Sequence, residues 1–318
     1  MRKQYLYGII ASCVFLTSVL GCSSKESKDS VNQNGSVSIV TTLYPLEDFA
    51  KKIGGSHVQV TNIIPAGTES HDFEPSAKDL AKLSKANIFV YHGSGFESWT
   101  EKAASNLDKN KTKIVNASDG LASGEVSKGS ETKGEHDHGH DHEGMDPHVW
   151  LDPTLAKKEA RKIYDAIVSA DPTHKEEYTK NFAELEKQFD QLDGEFQTMA
   201  KQATKKEFVT SHAAFSYLAH RYGLEQISIS GLSPEDEPNP KELKEIIDEV
   251  KEHQVKYIFF ETLVSGKMAD VVKNEVKAEA LILNPLEGLT AEEIKSKQDY
   301  FSVMRKNKEN LAKALGAM

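Results

Sequence analysis

From Tyr178 to Met199, seven large apolar residues (Tyr178, Phe182, Leu185, Phe189, Leu192, Phe196 and Met199) recur at spacings of 4, 3, 4, 3, 4 and 3. That period places them on one stripe of a single continuous helix. Thr173 and Glu176 form a capping-box pattern just after Asp171 and Pro172, so the sequence predicts a helix from about 174 to 202 within a linking segment 173–203. At about 1.5 Å per residue such a helix is about 43 Å long, comparable to a whole domain. A coiled-coil dimerisation helix is the plain alternative. About three and a half heptads set between two α/β halves fit a spine packed along both halves better, and the chain is read as a monomer. A strut of that length resists large hinge closure, so ligand capture should need only small movements.

On both sides of the spine, short β-rich runs alternate with helical patterns. In the first half, strands are expected at Val37 to Leu43, Val58 to Ile64, Asn87 to Tyr91 and Lys113 to Val115, with helices near Leu46 to Ile53, Ala77 to Lys85 and Glu97 to Leu107. In the second half, strands are expected at Glu207 to Thr210, Gln226 to Ser230, Val255 to Phe260 and Ala280 to Leu283. Helices there are expected near Phe215 to Tyr222, Lys241 to Gln254, Lys267 to Val276 and Ala291 to Leu315. Strands separated by helices imply right-handed crossovers and parallel sheets. The fold class is therefore α/β, with two lobes, 37–172 and 204–318, each carrying a parallel sheet flanked by helices.

The first segment is an address label. Arg2 and Lys3 precede an apolar stretch from about Leu6 to Leu20 that ends at small residues, the pattern of an export signal over residues 1–21. About 15 apolar residues fall short of the roughly 20 needed to span a bilayer. Val19-Leu20-Gly21-Cys22 resembles the lipobox of bacterial lipoproteins, in which cleavage leaves the cysteine as a lipid-modified first residue. Lipid attachment would also remove the thiol that cleavage would otherwise leave at the new N-terminus. Residues 22–36 are polar and read as a flexible tether between anchor and fold. The two cysteines, Cys13 and Cys22, both lie in this leader, so neither a disulfide nor a cysteine zinc cluster can staple the rest. Against 39 basic residues the chain has 49 acidic ones, a net charge of −10, which becomes 37 − 49 = −12 once Arg2 and Lys3 are removed. Nucleic acid is excluded as a partner by that balance and by the lack of a basic run interleaved with aromatics.

In open α/β sheets ligands sit beyond the carboxyl ends of the strands. His71, in Ser70-His71-Asp72-Phe73-Glu74-Pro75, follows the second strand, and His148, in Asp146-Pro147-His148-Val149-Trp150, follows the fourth. His212 comes directly after Phe208-Val209-Thr210-Ser211, and Glu287, in Asn284-Pro285-Leu286-Glu287-Gly288, follows the last strand. A lone histidine at a strand end is more often a satisfied loop or core residue. Four donors at strand tips of both lobes could instead converge in the cleft, and a set of three imidazoles and one carboxylate suits Zn²⁺ in a tetrahedral shell. Glu69 is an alternative oxygen donor and Glu261, at a strand end, a runner-up. His220, about 80° around a helix from His212, reads as a group behind the ligands or on the surface. His57, His92, His174 and His253 have no partner that the sequence names, and Trp99 and Trp150 read as packing residues.

The motifs SHDFEPS, DPHVWLDP, SHAAFSYLAHRYGL and LNPLEGLT, in that order, resemble those of the metal-receptor lipoproteins of bacterial ABC uptake systems, above all the zinc receptors. The likeness covers the chain from residue 37 onward. It implies two α/β lobes joined by one long helix, with a metal ligated at the positions of His71, His148 and His212 and an acidic residue at the position of Glu287 completing the shell. It also implies an ABC permease and its ATPase as partners, and a cell-membrane location, lipid-anchored on the extracytoplasmic face. The manganese receptors of the same family carry Glu where this chain has His212 and Asp where it has Glu287. The set here therefore points to zinc rather than manganese, the harder Mn²⁺ favouring oxygen donors; a manganese or broad divalent-metal receptor is the alternative within the family.

Within a loop at 123–147, Glu135 to His142 reads EHDHGHDH, with His136, His138, His140 and His142 on alternate residues. Gly134, Gly139 and Gly144 and the polar stretch before them give the run no means of preorganising a tight site, so it is read as an auxiliary, weak metal-binding tract. Such a loop would raise the local zinc concentration, and deleting 135–142 should leave the tight site nearly unchanged. A large loss of affinity would refute this.

An exported zinc hydrolase is the rival class, and its usual marks are missing. His142-Glu143 leads to His148 at the wrong spacing for H-E-x-x-H, and there is neither a P-loop ending nor a G-x-S-x-G elbow. A lipid-anchored metal store or adhesin would bind several ions of similar strength, whereas a receptor holds one tightly. The expectation is an extracytoplasmic zinc receptor, not an enzyme, whose affinity falls as pH drops through about 6.5 because protons compete for the imidazoles.

Overall fold

The computed structural model describes residues 35–122 and 145–317. The signal 1–21, Cys22 and the histidines at 136, 138, 140 and 142 lie outside those residues.

β-Branched and aromatic runs form the strands, and burial sorts them by position. β1 (Val37–Thr41) and β3 (Ile88–Tyr91) are almost wholly buried and central, whereas β2 (Val58–Asn62) alternates between half-buried and exposed at an edge. With β4 (Lys113–Asn116) they make a parallel sheet in the order β2-β1-β3-β4, Val37 facing Val58 and Ile88 facing Lys113. The second sheet repeats the plan: β5 (Glu207–Thr210), β6 (Glu225–Ser228), β7 (Tyr257–Phe260) and β8 (Glu279–Ile282) lie parallel in the order β6-β5-β7-β8. In each sheet the chain goes to one side of the first strand and then returns to the other. The carboxyl ends of β1 and β3, and of β5 and β7, thus flank a switch point.

The flanking helices are α1 (Tyr44–Gly54), α2 (Ala77–Leu83), α3 (Thr100–Ser105), α4 (Pro153–Ala170), α5 (Lys175–Gln202), α6 (Ser216–Tyr222), α7 (Pro240–Glu252), α8 (Lys267–Val276), α9 (Ala291–Lys295) and α10 (Tyr300–Leu315). α5 is the spine, 28 residues and about 42 Å long, and all seven residues of its apolar stripe are buried. Phe189 meets Phe49 of α1 at 5.2 Å and Phe301 of α10 at 5.1 Å, so one ring joins both lobes. The core is continuous from Ile39 and Phe49 through the spine to Phe208 and Phe259.

Three details differ from expectation. Thr173 and Glu176 do not cap the spine. The spine's own N-cap, His174, makes no side-chain cap; instead Asp171 caps the 3₁₀ turn Pro172–His174 that leads into it, accepting from the Thr173 amide at 3.1 Å and the Tyr178 hydroxyl at 2.6 Å and pairing with His174 Nδ1 at 2.6 Å. A carboxylate one residue before a proline is the better acceptor for exposed amides and the better charge for a helix N-terminus. The 18-residue α4, capped by Asp152 and opened by Pro153, is a helix not among those expected from the sequence; its buried face mixes Ala156, Ala160 and Ala166 with Ile163, Tyr164 and Ile167 around the buried Glu159. The expected helix 291–315 is two helices, each with its own capping box, Thr290 with Glu293 and Asp299 with Ser302, and Lys297 between them adopts φ 55°.

Candidate metal centre

Each lobe sends two side chains to the crevice between the sheets. His71 lies on the loop after β2, where Glu69 folds the backbone by accepting from the amides of His71 at 2.8 Å and Asp72 at 3.1 Å. Its ring packs on Phe96 with 4.6 Å between centroids. His148 is turned inward by Asp146, whose Oδ1 lies 2.9 Å from the His148 amide and 2.8 Å from its Nδ1. His212 sits two residues past β5, its carbonyl accepting from Thr210 Oγ1 at 2.7 Å and Gln226 Nε2 at 3.0 Å. Its Nδ1 meets Glu261 Oε1 at 2.7 Å. Glu287 follows Leu286, a buried residue held at φ 62°. Asn284 Oδ1 accepts the Leu286 amide at 2.7 Å, and Asn307 in turn brackets Asn284. A left-handed leucine is strained, and this network holds it in place so that Glu287 enters the crevice.

Glu287 Oε1 is 3.4 Å from His71 Nε2, 3.6 Å from His148 Nε2 and 3.4 Å from His212 Nε2, and the four donor atoms all lie within 4.8 Å of one another. The edge of a tetrahedral zinc shell is about 3.3 Å. All four atoms are buried, and none has a hydrogen-bond partner among the described residues. Carboxylates on His148 and His212 fix the Nδ1–H tautomer and leave each Nε2 lone pair facing the centre. The donor set fits a metal ion.

Without an ion, protons take up part of this role. Burial disfavours a charge on His212, but the charge and hydrogen bond of Glu261, with Glu287 behind them, raise it to about 10. His148 is likewise raised against its burial by Asp146 and Glu287. Burial favours the neutral acid at Glu287, yet the three imidazoles hold it well below the usual carboxylate range.

The lobes are also bonded across the site. Trp150 Nε1 donates to the Pro285 carbonyl at 2.7 Å, Tyr217 Oη to the Asp146 carbonyl at 3.0 Å, and Ser70 Oγ to the Glu287 carbonyl at 3.1 Å. Trp150 is thus more than packing. The runner-up donors are accounted for: Glu69 shapes the His71 loop and Glu261 orients His212. His220 is exposed away from the crevice. His57 and His174 stack on one another at 3.8 Å beside the start of the spine, and His253 lies 3.8 Å from Glu207. His92 is buried with Glu159, a partnership no local motif announces. The orienting role of Asp146 was within reach of the sequence, since Asp-x-His puts a side-chain acceptor beside the amide two residues on.

Two open parallel sheets sharing one long helix, with four donors from both lobes meeting at the strand ends, define a helix-linked, two-lobed metal-binding receptor architecture. The chain belongs to the ZnuA family, described as zinc-uptake complex component A, periplasmic, whose model matches residues 39–314. It is 42% identical over 311 residues to the high-affinity zinc uptake system protein ZnuA of Bacillus subtilis, covering 96% of each chain. It is 40% identical over 309 residues to the zinc-binding lipoprotein AdcA of Streptococcus pneumoniae, covering 96% of this chain but only 60% of that longer relative. The crystal structure of the Zn(II)-bound ZnuA-like domain of that AdcA superposes with a TM-score of 0.73 at 39% identity, over 88% of this chain and 99% of the domain.

Proposed function

We propose that this chain is an extracytoplasmic receptor that captures Zn²⁺ with His71, His148, His212 and Glu287 and delivers it to an ABC permease driven by a cytoplasmic ATPase. One observation carries the reading: four buried donor atoms, two from each lobe, surround a common point with no hydrogen-bond partner among the described residues. Three imidazoles and one carboxylate match zinc better than manganese. With all four positions filled by protein the shell has no open position for an activated water, so the site binds without turnover. Family membership and the names of the relatives support the transport role. In this reading residues 1–21 are removed, Cys22 carries the lipid, 22–36 tether the lobes 37–172 and 204–318, joined by 173–203, to the membrane face, and His136, His138, His140 and His142 bind zinc weakly nearby.

Calorimetric titration of chelator-stripped protein should give one tight equivalent of zinc, and a zinc-edge anomalous peak in crystals should fall among the four side chains. Several equal sites, or a peak elsewhere, would overturn the assignment.

A further inference from the structure

Beside the His148 turn lies a second buried polar pair that the ligand cluster does not use. His92 follows β3, Glu159 sits in the middle of α4, and both are 0% exposed. His92 Nε2 is 2.6 Å from the Pro147 carbonyl, and His92 Nδ1 is 3.1 Å from Glu159 Oε1. The 3.1 Å approach is a close polar contact and not a formed hydrogen bond: among the described residues neither His92 Nδ1 nor either Glu159 oxygen has a hydrogen-bond partner. A carbonyl only accepts, so His92 Nε2 carries a hydrogen and donates it to Pro147.

The Pro147 carbonyl also accepts the Val149 amide at 2.7 Å, with His148 between them at φ −77° and ψ 41°. That is close to an inverse γ-turn with His148 at its centre. The same imidazole stands edge-on to the Trp150 indole at 4.7 Å and 89°, and that indole donates to the carbonyl two residues before Glu287. A well-packed apolar pair would fill this space at least as stably as a buried imidazole and carboxylate. What such a pair lacks is a fixed N–H aimed at one carbonyl.

We infer that His92, packed against Glu159, is a positioning residue for the metal site: its Nε2–H pins the carbonyl that closes the turn around His148 and so aims that ring at the ion. The inference rests on the zinc-site reading above, and His148→Ala separates the two. If the wild type binds no zinc tightly, or His148→Ala binds as the wild type does, the site assignment itself fails.

The test compares the wild type, H92L/E159L, which removes donor and acceptor together, and H92Q/E159Q, which keeps an N–H for the Pro147 carbonyl and a neutral partner behind it. Should the leucine pair lack a cooperative melt, H92M/E159Q replaces it as the donor-less chain. Zinc affinity by chelator competition and the visible d–d spectrum of the cobalt(II) form are read on each folded protein. The donor-less pair should bind about 10- to 100-fold more weakly, as expected for loss of a group supporting a metal ligand, with a shifted cobalt spectrum. The glutamine pair should return to within about threefold of the wild type. Wild-type affinity and spectrum in the donor-less pair, or a glutamine pair as weak as it, would overturn the inference.

Discussion

At the scale of single residues, metal and proton compete for the same lone pairs. Glu261 and Glu287 raise His212 to about 10, so on the proposed reading zinc must compete with a proton there. Affinity therefore rises with pH, by about tenfold per unit for each proton released, and continues to rise above the ordinary histidine range near 6.5. Proton release measured in buffers of different ionisation enthalpy checks this, and a flat profile between about pH 6 and about pH 8 would contradict it. Glu261→Gln removes the charge that raises His212, so the profile should flatten at its alkaline end while affinity falls about 10- to 100-fold. His212→Ala removes a ligand outright and should cost more than about 100-fold in a chelator competition; wild-type affinity would mean that the ion sits elsewhere. The four donor positions were legible because each follows a strand end. Choosing Glu287 over Glu69 and Glu261 needed the family resemblance, because which carboxylate faces the crevice depends on turns that close only when the loops pack.

At the scale of elements, the spine was readable in length and facing because its apolar stripe is long and unbroken, and seven residues of one period outweigh any local ambiguity. Its start was readable only approximately. Asp171 collects the Thr173 amide, the Tyr178 hydroxyl and the His174 ring, so Asp171→Ala should destabilise the protein by about 1 to 2 kcal/mol and Thr173→Ala by far less. Urea denaturation of both variants decides the matter, and the reverse order would restore the Thr173–Glu176 box. α4 has an apolar inner face of its own, with Ile163, Tyr164 and Ile167, but a charged residue, Glu159, is buried in the middle of that face and breaks the stripe that a sequence pattern reads. The C-terminal run looked like one helix because both pieces are strong helix formers. The break at 296–299 comes from two competing caps, and spacing alone does not weigh these against each other.

At the scale of the whole molecule, the proposed ligand set is divided between lobes, so zinc held there would cross-link the fold. The lobes share one core along the spine and exchange hydrogen bonds beside the site, so the ion adds to an interface already formed. Free zinc at 1,000 times its dissociation constant should stabilise the protein by about 4 kcal/mol. At about 2 °C per kcal/mol for a chain of this size, the melting temperature should rise by about 8 °C over the chelator-stripped form. Scanning calorimetry measures this, and an unchanged melt at saturating zinc would mean that the folded chain does not bind the ion tightly.

The linear order of residues determined the α/β class, the paired parallel sheets, the long helix and the donors at strand tips, because periodicity and strand-end placement are local properties. Only the tertiary structure decided that Glu261 and Asp146 stand behind the imidazoles, that Asp171 caps the turn leading into the spine, and that His92 meets Glu159. Those contacts join residues whose encounter depends on how loops and helices pack, and a buried polar group takes whichever partner the packed interior brings within reach.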